Sequence, residues 1–121
     1  MAITDFNNAL VRTPSRSVVR GLRAVDVGAP SYEGVLAEHA GYVDALEAAG
    51  VAVEVLPACE DFPDSVFIED TALVFGTRAI LLRPGAASRA SEAEKIAPVL
   101  ARRFERVLKL ETGTAEGGDI L

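Results

Sequence analysis

Four carboxylates sit close together in Asp61-Phe62-Pro63-Asp64-Ser65-Val66-Phe67-Ile68-Glu69-Asp70, a stretch that runs on through Thr71 into the apolar Ala72-Leu73-Val74-Phe75. Carboxylates are costly to bury unless a cation or several hydrogen-bond donors meet them. Beside two phenylalanines and just ahead of a buried-looking run, they describe a pocket for a flat organic cation. Two other readings fit the same spacing: acids solvated on a loop, and clustered oxygen ligands for magnesium or calcium. In an ideal strand Glu69 and Asp70 point to opposite faces, so Asp64, Glu69 and Asp70 reach one ligand only where the strand bends or ends. Other reactive side chains are few. His39 falls mid-helix between Glu38 and Ala40, where a partly exposed or core-edge role is the ordinary one. Cys59 follows Pro57-Ala58 in a turn beside Glu60 and Asp61, and adjacent negative charge makes a thiol a poor nucleophile.

The elements that must position these groups follow from periodicity and punctuation. Residues 1–9 read as a lead-in. Ala9-Leu10-Val11-Arg12 is a short strand stopped by Thr13-Pro14-Ser15. Ser15 to Pro30, punctuated by Gly21 and Gly28, reads as a surface loop of the kind that serves as a lid. A helix starts at Pro30-Ser31, carries Val35, Leu36, Ala40, Val43, Leu46 and Ala49 on its apolar face, and stops at Gly50. Val51 to Leu56 is a strand ended by Pro57. Ala72 to Gly76 and Arg78 to Arg83 form a hairpin across Gly76-Thr77. A second helix begins near Ser88 or Ser91, with Ser91 and Glu94 spaced as a capping box. Ile96, Ala97, Leu100 and Phe104 line its apolar side, and Arg106 to Leu110 is a further strand. The helix-then-strand unit therefore occurs twice, at a period of about 50 residues. Ile120-Leu121 reads as the start of another strand without a partner, so the expectation is a truncated domain or a missing companion segment.

The totals restrict the classes. A chain of 121 residues, half apolar and a quarter charged, is one globular domain at most. Its net charge of −6 makes it a poor partner for nucleic acid and leaves a cationic small molecule welcome. One cysteine excludes an internal disulfide and a multi-cysteine zinc site. No apolar run reaches the ~18 residues of a membrane span, and the N-terminus lacks the pattern of a signal peptide. The expectation is a soluble, cytoplasmic protein.

With these residues in hand, the chain resembles the N-terminal half of the dimethylarginine dimethylaminohydrolases, members of the guanidino-modifying group that includes arginine deiminases and amidinotransferases. The likeness runs from about Leu10 to Leu121. It rests on Phe62-Pro63-Asp64-Ser65-Val66-Phe67-Ile68-Glu69-Asp70, on Arg83-Pro84-Gly85-Ala86 with Ser88-Arg89, and on Thr114-Ala115-Glu116-Gly117-Gly118-Asp119, with weaker support from Arg12-Thr13-Pro14-Ser15-Arg16-Ser17. The resemblance implies a pentein-type α/β propeller of five ββαβ units. About two of the five would be present, and residues 1–121 would be the N-terminal portion of a single domain truncated at its C-terminus.

The resemblance also implies roles. Asp64, Glu69 and Asp70 would hold the substrate guanidinium, a planar cation whose N–H forks suit carboxylates, with Phe67 packed on it. Arg89 would grip the α-carboxylate, and Leu22 would contact the substrate from the lid. Glu116 would orient a catalytic histidine, with Asp119 as a supporting acid. The histidine and the nucleophilic cysteine would both lie beyond this chain. The implied reaction is hydrolysis of an Nω-methylated arginine to citrulline and a methylamine, with no metal or organic cofactor. The partner would be that small molecule, with no nucleic acid and no membrane, and a homodimer or a missing C-terminal half would complete the protein. The isolated chain would be inactive. Alternatives are an arginine deiminase or amidinotransferase on the same fold, or a non-catalytic fragment that binds arginine analogues.

Overall fold

A parallel strand pair cannot close through a tight turn and needs a crossover, here a helix. In the computed structural model, which describes residues 5–120, β1 (Asn8–Arg12) runs parallel to β2 (Ala52–Leu56), with Val11 opposite Val55 and Arg12 opposite Leu56. Between them α1 spans Tyr32–Ala48. Its start is fixed as Pro30-Ser31 predicts: Ser31 Oγ accepts the backbone N–H of Gly34 at 3.1 Å. The first residues of the lead-in, Met1 to Thr4, lie outside the described residues, as does Leu121.

The chain divides into two compact units, the first ending at Val66 and the second opening at Phe67. In the first, α1 lies on β2 and on a 3-10 turn at Arg16–Arg20. That turn lies inside the stretch expected to be all loop. Glu60 stabilises its start, its two carboxylate oxygens accepting the N–H groups of Arg16 and Ser17 at 2.8 and 3.2 Å. The Arg16 guanidinium stacks 4.9 Å from the centre of the Tyr32 ring. The covered stripe of α1 also differs from the expected one. Tyr32, Val35, His39, Val43 and Leu46 are half-buried, whereas Leu36, Ala40 and Ala49 are exposed. Steps of three, four, four and three residues from Tyr32 pass through His39 and miss Leu36. His39 is thus a core-edge residue, and burial pushes its imidazole below the usual histidine pKa.

The second unit is a complete ββαβ. β3 (Ala72–Phe75) and β4 (Arg78–Leu81) form the expected hairpin, Phe75 opposite Arg78. The chain then passes through α2 (Ala93–Arg103) to β5 (Arg106–Lys109), parallel to β4, giving the order β3-β4-β5. Ala79 and Leu81 are buried in the sheet, and Ala93, Ile96 and Leu100 line the buried side of α2, spaced for one helical face.

β3 starts at Ala72 as expected, after a 3-10 turn at Ile68–Thr71. Two other expectations change here. The run Ala72–Phe75 is not buried: it is the edge strand, with Val74 and Phe75 more than half exposed. The Ser91–Glu94 capping box does not form. Tight turns precede α2, so the N–H groups of Glu94 and Lys95 already bond to the carbonyls of Ser91 and Glu92. Among the described residues no helix is long and apolar enough to cross a membrane.

Leu100 is 1% exposed. Leu100→Ala is expected to cost about 2–5 kcal/mol, the range for a buried leucine that leaves a cavity, measured by chemical denaturation. A loss below about 1 kcal/mol would contradict this account of the core.

Candidate functional site

In the first unit, the turn through Phe62-Pro63-Asp64-Ser65 is held by hydrogen bonds from Phe62 N–H and Ser65 Oγ to the Cys59 carbonyl, at 3.0 and 3.3 Å. It presents Asp64 to Gly21-Leu22. Both Asp64 oxygens accept the Leu22 N–H, at 3.1 and 3.2 Å. The approach is possible because residue 21 is glycine: a Cβ there would lie 2.6 Å from Asp64 Oδ1. Asp64 is buried, and among the described residues no lysine or arginine pairs with it. The Leu22 side chain stays 61% exposed. The structure therefore joins two of the expected site residues, Leu22 and Asp64, through the backbone of one and the carboxylate of the other.

In the second unit, the organising group is the Arg89 guanidinium, 5% exposed. It donates from Nε and one terminal nitrogen to the two oxygens of Glu92, at 2.9 and 2.6 Å. The other terminal nitrogen reaches Asp70 Oδ2 at 2.6 Å, and the Phe67 carbonyl accepts a further N–H at 3.0 Å. Burial alone would push the guanidinium pKa down. The hydrogen bonds and charges of Glu92 and Asp70 outweigh it, and Arg89 is held above its ordinary value.

The acids at 69 and 70 are thus separated by the 3-10 turn rather than by the pleat of a strand. Asp70 turns inward to Arg89, and its Oδ1 accepts the Gly118 N–H at 2.9 Å. Glu69 is exposed and makes no ion pair or side-chain hydrogen bond among the described residues. The Phe67 side chain is half exposed. Residue 117 must be glycine for the last turn to dock on this one, since a Cβ at 117 would fall 1.9 Å from the Glu69 carbonyl oxygen.

Glu116 is placed by the bridge between Arg83 and Ala115, in which the Ala115 N–H donates to the Arg83 carbonyl at 2.9 Å. Arg83 also hydrogen-bonds to the Glu111 carbonyl. Glu116 Oε1 accepts the Gly85 N–H at 3.2 Å, and its second oxygen has no partner among the described residues. Asp119 is exposed on the turn Gly117–Asp119.

Glu92 is the residue that sequence reading missed. Its spacing three residues after Arg89 is an ordinary helical charge-pair signal, but its burial could not be read from spacing. Arg89 itself, expected to face a ligand carboxylate, spends four hydrogen bonds on Asp70, Glu92 and Phe67. Among the described residues, no three His, Cys, Asp or Glu side chains gather as around a metal ion.

No protein-family model matches the chain. A protein of Pseudomonas aeruginosa named N(G),N(G)-dimethylarginine dimethylaminohydrolase is 42% identical over 118 residues, which cover 96% of this chain and 46% of that protein. A protein of the same name from Streptomyces coelicolor is 41% identical over 121 residues, covering 93% of this chain and 45% of its own length. The chain thus spans less than half the length of these relatives. Among solved structures, a cysteine-to-serine mutant of the Pseudomonas aeruginosa enzyme complexed with citrulline superposes with a TM-score of 0.92 at 42% identity, covering 96% of this chain and 46% of that one. The N-terminal domain of the cyanobacterial arginine dihydrolase ArgZ shares the α/β pentein fold at 19% identity, with a TM-score of 0.80 over 95% of this chain and 44% of its own. In sequence and in fold, the chain is similar to part of a dimethylarginine dimethylaminohydrolase.

Proposed function

We propose that these residues form the substrate-binding part of an amidine hydrolase that converts an Nω-methylated arginine and water to citrulline and a methylamine. The observation that best supports the reading is the state of the acids. Asp64 is buried without a cation, and Glu69 is exposed without a partner. Among the described residues, both are short of the positive charge that a guanidinium would bring. In this reading Asp64, Glu69 and Asp70 hold the guanidinium, Phe67 packs on it, and Leu22 contacts the substrate. The remaining N–H of Arg89 serves the α-carboxylate.

The chemistry needs groups outside these 121 residues. A cysteine thiolate attacks the guanidinium carbon, and a histidine gives a proton to the departing methylamine. The covalent thiouronium formed in this way is hydrolysed by water, which releases citrulline and restores the thiol. Glu116 orients that histidine, one oxygen on Gly85 N–H and the other turned to the imidazole. Asp119 supports the same turn. Residues 1–121 are then the N-terminal portion of one domain, completed by a downstream segment. A cytoplasmic setting agrees with a lone cysteine.

The division of labour is tested by assaying citrulline release from Nω,Nω-dimethylarginine. The intact gene product is expected to release it and residues 1–121 alone to release none. Citrulline from the purified short chain would sink the proposal. In the intact protein, Glu69→Ala is expected to weaken substrate binding by about 2 kcal/mol, roughly thirtyfold, as for a lost hydrogen bond to a charged group. Unchanged affinity in a binding assay would remove Glu69 from the site. Glu116→Gln should lower kcat by a factor on the order of 10–100 with little change in KM, since it acts on the proton-transferring partner. A change confined to KM would argue for a binding role instead.

A further inference from the structure

A carboxylate already paired with an arginine is a weak partner for a second cation. Asp70 is in that position, 2.6 Å from Arg89. Glu92 changes the balance. It is more deeply buried than Asp70, and both its oxygens are committed to the same guanidinium. With Glu92 the buried trio carries one net negative charge; without it Asp70 and Arg89 cancel. Glu92 also takes up two Arg89 N–H groups that would otherwise be free to draw Asp70 further from a ligand.

Resting on the hydrolase reading above, we propose that Glu92 is a positioning residue for the substrate cation: it neutralises Arg89 so that Asp70, fixed by Arg89 and by Gly118 N–H, keeps its negative field for the methylated guanidinium. A merely structural ion pair at the start of α2 would affect any ligand of the site alike. A field effect discriminates by charge, because the substrate end is cationic and the ureido end of citrulline is neutral.

The test measures, in the intact protein, the KM of Nω,Nω-dimethylarginine beside the competitive Ki of citrulline. In Glu92→Gln the KM is expected to rise at least about tenfold while the citrulline Ki moves by less than about threefold. Equal weakening of both, or no change in either, overturns the proposal. If that variant does not accumulate folded, the pair Arg89→Gln with Glu92→Gln carries the test. It removes the cation together with its counter-charge, so the preference for the cationic ligand over citrulline should stay within about threefold of the unsubstituted protein. A tenfold loss of that preference overturns the proposal. Failure of the unsubstituted protein to accept methylarginine at all refutes the hydrolase reading, and this inference with it, and is visible before any substitution is made.

Discussion

A buried guanidinium is the constraint on which the second unit depends. Arg89 cannot shed its charge, so the surroundings must supply acceptors, and they come from two separate pieces of chain. The 3-10 turn at Ile68–Thr71 brings Asp70 and the Phe67 carbonyl, and the approach to α2 brings Glu92. Gly118 extends the same network to the last turn through Asp70. Taking one partner from such a group leaves an uncompensated buried charge, a loss of about 3–5 kcal/mol. The network therefore holds the turn, the helix start and the Glu116 segment in one arrangement.

The acids that invite attention in the sequence have three different local solutions. Asp64 is met by a backbone N–H, Asp70 by an arginine and a backbone N–H, and Glu69 by neither. Chemically similar residues a few positions apart thus differ in how much negative charge they have left to offer. Asp64 and Asp70 are held by these contacts, and Glu69 is exposed.

Much of this was legible from residue order alone. Pro30-Ser31 ahead of an apolar periodic run marked α1, because a serine at the cap satisfies an otherwise orphaned N–H. Gly76-Thr77 between two apolar runs marked the hairpin. What escaped depended on tertiary partners. Ser91 and Glu94 have capping-box spacing, but hydrogen bonds from the preceding turns occupy the N–H groups that such a box would satisfy. Nor did spacing show that Glu69 and Asp70 sit in a tight turn, which Thr71 Oγ1 closes on the Ile68 carbonyl. The identity of the acids was readable, but the partner each one would find was not.

The pairing of strands sets an order for folding. β3 and β4 are joined by two residues, and a hairpin closes in about 1–10 μs. β1 and β2 are parallel partners separated by the whole of α1 and its flanking loop. Their contacts bring no reward until that long loop has closed, which makes such pairings slow. The second unit, which carries the Arg89 network, has the local hairpin from which to start. In the first unit the contact of Asp64 with the Leu22 N–H spans 42 residues, so it too must wait for a long loop to close.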